Sequence, residues 1–238
     1  MMGRMEQPTA IPELLATTDE DRRHELLVAF VAADPPGAFS VAERLIGAPD
    51  AEQRRLGADM FGQVTQLDPP LAARIADLLI PRVGVETDPD VLQAAIAALG
   101  HARDERARGP VMACANNADV DVRLAVAWAI PSLGLDRQAV DVLTQLSRDA
   151  DDDVRDWATF GLAQSELFGL APSDAVSADI LEALFARTAD PHYDTRCEAI
   201  LGLAMRHDPR ARIFVDRELA QPMVGSLIEE ARDLLDAV

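Results

Sequence analysis

Residues 149–163, with the sequence DADDDVRDWATFGLA, combine acidic side chains, an arginine and two aromatic rings. Three of the aspartates alternate along the chain, as the first ligands of a calcium-binding loop do: Asp149, Asp151 and Asp153. A calcium loop also needs glycine at its sixth position and glutamate at its twelfth, where this chain has Val154 and Phe160. The pattern therefore argues against a calcium site, and the acids need another explanation.

The surroundings of Arg155 recur along the chain, which indicates an internal repeat. With this position taken as an anchor, the equivalent residues are Arg23, Arg54, Leu92, Arg123, Arg155 and Arg196. The residue two before each anchor is always acidic, and the residue seven after it is always large and apolar. The residue four before is acidic in every unit except the last, which has His192. Successive anchors are 31, 38, 31, 32 and 41 residues apart, as expected for a supersecondary unit with loops of variable length.

Each unit is expected to contain two helices. Apolar residues around the anchor fall on one face of a helix with a period of 3.6 residues. A second helical segment, such as residues 137–148, accompanies it, and proline and glycine mark the connections. The acids before the anchor are placed to cap the helix N-terminus. Because no alternating strand pattern of useful length occurs, we predict an all-α protein.

Two of the units share a motif that is found in a known family. DVDVRLAVAWAI and DADDDVRDWATFGL follow the pattern D-x-D-V-R-x-x-A-x-x-A-L. The chain resembles the HEAT repeats of bacterial proteins, also called phycobilisome-lyase-like HEAT repeats, from about Asp19 to its C-terminus. The resemblance implies a right-handed α-solenoid of about six to seven HEAT-like helix pairs, folded as a single domain over residues 1–238. Residues 1–18 would form an N-terminal cap or a mobile segment, and residues 209–238 a degenerate capping repeat.

Composition narrows the classes of partner. The chain has 22 basic side chains, all of them arginine, against 41 acidic ones, which gives a net charge of −19. This charge repels phosphate backbones and anionic lipid, so we expect no nucleic-acid or membrane partner and favour a basic protein or peptide. The two cysteines lie far apart and no apolar run approaches the length that spans a bilayer. We therefore expect a cytoplasmic protein, and a monomer is favoured.

Motifs for catalysis are weak. The four histidines lack metal-ligand spacing, and neither a phosphate-binding loop nor a serine nucleophile motif occurs. Cys197 follows Arg196, so a nucleophile with a lowered pKa is one interpretation, and a small residue on a repeat surface is the favoured one. We expect no enzyme activity, no cofactor and no bound metal.

The recurring arginines and acids predict a structural ladder of ion pairs that joins neighbouring repeats. Its expected members are Asp121, Arg123, Asp153, Arg155, Asp194 and Arg196.

The outward face of the anchor helix is predicted to line the concave surface of the solenoid, where ligands usually bind. In the first three units this face is mixed and includes Arg55 and Asp59, which is ordinary for a solvated surface. In the last three units it is largely apolar, which favours a binding surface. The predicted partner-binding residues are Leu124, Trp128, Asp156, Phe160 and Leu201. Asp156 would select a basic group.

Three questions about this surface stay open in the sequence. The same apolar side chains could instead belong to the core. Trp157 lies at the boundary, and we expect it to be wedged between repeats. The long connection over residues 165–177 could cover the groove as a lid or fill it.

The sequence favours a non-enzymatic interaction scaffold, an adaptor or an inhibitor, that binds a basic protein or peptide on the concave face. Two other classes follow from the resemblance. A lyase-like HEAT protein would hold a planar small molecule or chromophore with the same tryptophan, phenylalanine and aspartate. A HEAT-like DNA glycosylase for alkylated bases would need a positively charged concavity, which the apolar-to-acidic face lacks.

Overall fold

The computed structural model describes residues 7–165 and 174–237, and in these ranges the regular elements are all helices. The α-helices, in chain order, are α1 (Gln7–Ala16), α2 (Glu20–Ala33), α3 (Pro35–Leu45), α4 (Ala51–Leu67), α5 (Ala72–Val83), α6 (Pro89–Ala102), α7 (Arg108–Met112), α8 (Val120–Ser132), α9 (Arg137–Leu146), α10 (Asp152–Ala163), α11 (Asp174–Arg187), α12 (Tyr193–Met205), α13 (Ala211–Leu219) and α14 (Ser226–Asp236). Two short 3-10 turns, Pro69–Leu71 and Glu105–Ala107, precede α5 and α7.

The helices follow one another as antiparallel pairs in two compact units, which divide between Val111 and Met112. In the first unit α1 packs on α2, α3 on α4 and α5 on α6, and the second helices α2, α4 and α6 stack in sequence. In the second unit α9 packs on α10, α11 on α12 and α13 on α14, and α8, α10, α12 and α14 stack in sequence. The prediction of an all-α protein made of six to seven HEAT-like helix pairs is confirmed.

The anchor helices begin where the sequence places their caps. The aspartate four residues before the anchor accepts a hydrogen bond from a first-turn backbone N–H in five helices, with Asp19, Asp50, Asp88, Asp119 and Asp151 as the caps. Each such cap stabilises its helix by about 1 kcal/mol. In α12 the equivalent residue is His192, whose side chain makes no cap hydrogen bond to the backbone.

The helical period of the apolar residues also corresponds to the observed core. The large residue seven after each anchor is buried in every unit: Phe30, Phe61, Leu99, Ile130, Leu162 and Leu203. Burial of one such side chain contributes about 1.5–3 kcal/mol. The same column of residues therefore supplies much of the apolar contact between successive helix pairs.

Glycine permits a close approach of α12 to α10. A Cβ atom on Gly202 would lie 2.7 Å from the Cβ of Ala163 and 2.9 Å from Cδ1 of Leu184. Both neighbours are buried, so they have little room to move.

We predict that Gly202→Ala lowers the free energy of unfolding by about 1–2 kcal/mol through overpacking, although alanine is the better helix former. The matched control is Gly109→Ala in α7, where a Cβ atom would meet nothing within 4 Å. Urea unfolding followed by far-UV circular dichroism measures both variants. Equal stability of the two would contradict the close approach.

Two segments that the sequence singles out lie partly outside the described residues. These are the candidate lid over residues 165–177, of which 166–173 are not described, and the N-terminal residues 1–18, of which 1–6 are not described. In the described part of the second segment, α1 packs against α2 and α4, and Leu14 is buried.

Candidate functional site

A ladder of arginine–carboxylate pairs joins successive repeats within each unit. Nε and Nη2 of Arg155 donate to the two carboxylate oxygens of Asp190 at 3.0 and 3.1 Å. Asp190 lies six residues before the next anchor. The same geometry pairs Arg54 with Glu86 and Arg123 with Asp149, at 2.8–3.0 Å. In all three arginines Nη1 donates to two backbone carbonyl oxygens of the loop before its own helix.

The acids of this ladder differ from the expected ones. Asp121, Asp153 and Asp194, two residues before their anchors, are exposed in the first turn of α8, α10 and α12. The loop carbonyls that bind Nη1 orient each guanidinium towards the adjacent loop, where the acid six before the next anchor lies. Arg196 forms the loop contacts too, but its nearest carboxylate is that of Glu218, at 3.7 Å.

The ladder also explains the alternating aspartates of residues 149–163. Asp149 pairs with Arg123 of the preceding repeat, Asp151 caps α10 and Asp153 is an exposed first-turn acid. Hydrogen bonds from Arg123 hold the pKa of the Asp149 carboxyl below its usual range, against the opposing effect of burial. These acids therefore have structural roles.

Four of the five predicted partner-binding residues are partly exposed at the surface of the second unit. Leu124 and Trp128 of α8 and Asp156 and Phe160 of α10 are all partly exposed. Leu201 of α12 is only 1% exposed, so it does not belong to this surface. α12 packs against α10, α11, α13 and α14, and α10 packs against α8, α9, α11 and α12, so the burial of Leu201 does not come from a larger number of neighbouring helices.

Trp157 is more exposed than the sequence predicted, whereas Leu201 is more buried. Its side chain is 39% exposed instead of being wedged between repeats. It contacts Phe160 edge to face, with ring centroids 5.6 Å apart. The two rings therefore present an aromatic surface directly beside Asp156.

Asp156 is part of a polar network between α10 and α12. The hydroxyl of Thr195 donates to Oδ1 of Asp156 at 3.3 Å, and Nδ1 of His192 lies 3.0 Å from the same hydroxyl oxygen. Burial raises the pKa of the Asp156 carboxyl, and the neighbouring His192 and the Thr195 hydrogen bond oppose that rise. Asp156 is thus an acid in a partly desolvated position beside aromatic rings.

Glu198 of α12 is the functional candidate that the sequence did not reveal. Burial, and then the nearby charges of Asp156 and Glu230, raise the pKa of its carboxyl to about 7. Its Oε2 atom is buried and finds no hydrogen-bond donor among the described residues. A buried acceptor without a partner costs about 1–3 kcal/mol, so this site is destabilising as it stands. The equivalent residues Leu56, Ala94 and Ala125 are buried, whereas Glu25 of the first unit is exposed, so an acid at a position that is mostly apolar in the repeat was the available signal.

Cys197 is unsuited to act as a nucleophile. Its side chain is buried, and this burial raises the pKa of the thiol to about 11, although a hydrogen bond with Tyr193 opposes the rise. Only the thiolate attacks electrophiles, and at neutral pH very little of it would be present. The favoured interpretation of Cys197 as a small residue on a repeat surface is also wrong, because the residue is only 1% exposed and belongs to the core.

Metal binding and membrane insertion find no support in residues 7–165 and 174–237. Within those ranges no three His, Cys, Asp or Glu side chains come together so that they could hold a metal ion. The helices there are also too short, or too polar, to cross a bilayer.

Comparison with known sequences places the chain among repeat proteins. Residues 76–163 match the model of the HEAT repeats. Protein YibA of Escherichia coli, in strains K12 and O157:H7, is 31% identical over 117 residues, which are 49% of this chain and 39% of YibA. The match thus spans about two fifths of the length of this curated relative.

Solved structures agree on the fold. The crystal structure of Escherichia coli YibA superposes with a TM-score of 0.70 at 19% identity, covering 99% of this chain and 88% of that one. An archaeal HEAT-like repeats protein from Thermococcus onnurineus NA1 gives a TM-score of 0.61 at 15% identity, covering 99% and 97%. Designed armadillo repeat proteins for modular peptide recognition give 0.59 at 16% identity, covering 82% and 98%. The chain therefore contains HEAT repeats over residues 76–163 and shares the fold of HEAT-like and armadillo repeat proteins.

Proposed function

We propose that this chain is a non-enzymatic interaction scaffold, an adaptor or an inhibitor, that binds a basic segment of a protein or peptide on the second unit. The proposed surface consists of Trp128, Asp156, Trp157, Phe160 and Glu198, and we call it the α8–α12 surface. One observation carries the proposal. Glu198 keeps a buried carboxylate oxygen without a donor among the described residues, and burial, together with the nearby charge of Asp156, raises its pKa.

A guanidinium or ammonium group would supply the hydrogen-bond donors and the positive charge that this surface lacks. It supplies N–H donors to Glu198 and Asp156, and it neutralises two carboxylates whose pKa values are both raised, that of Glu198 partly by the charge of Asp156. The faces of Trp157 and Phe160 favour a nearby cation through their ring quadrupoles. Arginine suits the surface better than lysine because its planar group can bind carboxylates and stack on rings together.

The overall charge supports the same type of partner. A net charge of −19 accelerates association with a basic protein and has less effect on the final affinity. The designed armadillo repeat proteins were designed for modular peptide recognition, so a similar stack of helices is compatible with binding an extended peptide.

The test uses peptides selected by display on the immobilised protein. Each selected peptide is then resynthesised with citrulline, a neutral isostere, in place of arginine. We expect citrulline to weaken binding by about tenfold or more, because a charge-assisted hydrogen bond is lost. Glu198→Gln should produce the same loss. Selection of acidic or purely apolar peptides, or a chromophore that copurifies with the protein, would contradict the proposal.

Trp157→Ala provides a second prediction for this surface. If Trp157 is a central contact, its truncation should cost about 2 kcal/mol in affinity for an arginine peptide, measured by isothermal titration calorimetry. Phe185→Ala is the matched control, since this aromatic side chain is 38% exposed on α11, almost the same as the 39% of Trp157. Unchanged affinity in Trp157→Ala, or an equal loss in both variants, would remove Trp157 from the binding surface.

A further inference from the structure

A pocket of about 190 Å³ lies among α2, α4 and α6 of the first unit, apart from the α8–α12 surface. Alanines of α4 and α6, together with Gly62, leave the depression open. Its walls carry the charged or polar side chains of Arg23, Arg55, Asp59 and His101. The sequence suggested an ordinary solvated face here, but Arg23 is only 6% exposed.

Arg23 extends into this pocket because it lacks a partner in the ladder. The residue six before the next anchor is Ala48, whereas the three paired arginines find a carboxylate at that position. Arg23 instead donates from Nη2 to Oδ2 of Asp59 at 3.5 Å, and its Nη1 lies 3.9 Å from Glu20. Both distances exceed the 2.8–3.1 Å of the ladder bonds.

Arg55 is also incompletely paired. Its Nη2 donates to the exposed Glu20 carboxylate at 3.3 Å, and its Nε lies 3.9 Å from Oδ2 of Asp59. That Nε atom is buried and has no hydrogen-bond partner in the described part of the chain. Each guanidinium has five N–H donors. The pocket therefore has more donors than acceptors, and an oxygen-rich ligand would correct the excess.

Asp59 does not form close ion pairs with Arg23 and Arg55. Burial raises the pKa of its carboxyl to about 6, and the lowering effects of Arg23 and Arg55 do not compensate. In the ladder the balance is reversed, because close hydrogen bonds from arginine hold the pKa values of Glu86 and Asp149 below their usual range. The loose geometry around Asp59 is thus a feature of this pocket and differs from the structural pairs of the same chain.

We propose that this pocket binds a small oxyanion, a carboxylate or phosphate group, between the guanidinium groups of Arg23 and Arg55. An oxyanion accepts several N–H bonds at once, and bidentate contact with a guanidinium is the strongest form of such pairing. The ladder shows the same chemistry inside this protein, with carboxylates bound bidentately by Arg54, Arg123 and Arg155.

Asp59 acts as an internal competitor for the anion. The charged and titratable groups around it are Glu20, Arg23 and His24 of α2, Glu52 and Arg55 of α4, and Asp90 and His101 of α6. Protonation of Asp59 removes a negative charge next to the bound anion, so affinity increases as the pH falls. Burial lowers the pKa of His101, which keeps it neutral over more of that range. A variant at Asp59 isolates its contribution from those of the other charged groups in the lining.

The experiment is calorimetric titration of the full chain with inorganic phosphate and, separately, with succinate, at about pH 5.5 and about pH 7.5. We expect Asp59→Asn to bind about tenfold more tightly than wild type at the higher pH, with a smaller difference between the two at the lower pH, where Asp59 of the wild type is largely protonated. Arg55→Gln should weaken binding by about tenfold or more. Arg22→Gln is the control, because Arg22 is an exposed arginine of α2 outside the pocket lining.

The two titrants distinguish the sources of the anion. Binding of phosphate alone indicates a phosphate-bearing ligand, and binding of succinate alone indicates a carboxylate, and either supports the proposal. Failure of both titrants with wild type and with Asp59→Asn at both pH values overturns it, as does equal affinity in Arg55→Gln and wild type. An affinity ratio between Asp59→Asn and wild type that is the same at both pH values would overturn the role of Asp59, because the ionisation of the titrant cancels in this ratio.

Discussion

Asp190→Ala should strongly destabilise the second unit, with an expected loss of about 3 kcal/mol or more in the free energy of unfolding. Asp190 is 4% exposed and accepts hydrogen bonds from Arg155, Arg187 and the backbone N–H of His192. Its removal leaves two partly buried guanidinium groups without their shared carboxylate. An uncompensated charge of this kind costs more than the intact pair contributes, because its desolvation is no longer offset.

The pH dependence of this loss follows from the shifted pKa. Burial opposes ionisation of Asp190, but hydrogen bonds and charges from Arg155, Arg187 and the His192 N–H hold its pKa below the usual value. The stabilisation is therefore present above the pKa of the unfolded chain and is lost as the pH falls through the lower, folded-state pKa. The difference between wild type and Asp190→Ala should accordingly be constant near neutral pH and decrease in strong acid.

Urea unfolding at several pH values measures this effect, and Asp141→Ala is its matched control. Asp141 also pairs with an arginine, Arg137, at 3.0 Å, but both side chains are more than half exposed. Exposed pairs contribute little, so we expect a change of less than about 0.5 kcal/mol. If the two substitutions cost the same, the ladder would have no special role in holding the repeats together.

Glu198→Gln should have the opposite effect and stabilise the protein above neutral pH. The carboxyl of Glu198 has a pKa raised from 4.5 to about 7, so the folded state binds more protons than the unfolded state between these values. Stability therefore falls as the pH rises through this window, and above it the full penalty is present. A shift of this size corresponds to at most about 3 kcal/mol, and partial exposure reduces the expected gain at pH 8 to about 1–2 kcal/mol.

The same substitution should have almost no effect on stability at about pH 4, where glutamate at this position is already protonated. Thermal unfolding at the two pH values provides the comparison, with Glu229→Gln as control because Glu229 is exposed on α14. A variant that is more stable but loses affinity for arginine peptides would connect the loss of stability caused by the Glu198 carboxylate with its function. Equal stability of Glu198→Gln and wild type at pH 8 would show that the carboxylate is adequately solvated, and would weaken the case for a cation site.

Asp190 and Glu198 are carboxylates of the same unit that differ in their partners. Asp190 is surrounded by donors and stabilises the stack, whereas Glu198 lies beside other acids and destabilises it. Natural proteins retain unfavourable groups mainly where function needs them. For this reason the α8–α12 surface, and not the ladder, is the proposed partner site.

The amino-acid sequence determined the class of fold and much of its local detail. The helical period of apolar residues, the capping aspartates and the recurrence of the anchor depend on neighbours within about one repeat, and local spacing encodes such features directly. It also placed Trp128, Asp156 and Phe160 on the outward face of their helices, since that face follows from spacing along the helix, and the structure leaves all three partly exposed.

Only the tertiary structure decided which charges meet and which apolar residues are covered. The partner of Arg155 is Asp190, 35 residues away, and the contact exists because helix stacking brings the next loop beside this guanidinium. Leu201 of α12 is buried whereas Phe160, at the same position of the repeat in α10, is partly exposed, so the repeat pattern alone does not set the burial of this position. Asp59 is an acid on the outward face of the anchor helix and Glu198 an acid at the boundary of that face, and burial raises the pKa values of both carboxyls. Desolvation depends on the whole surroundings of a group, and a repeat motif specifies only the part that its own helix pair provides.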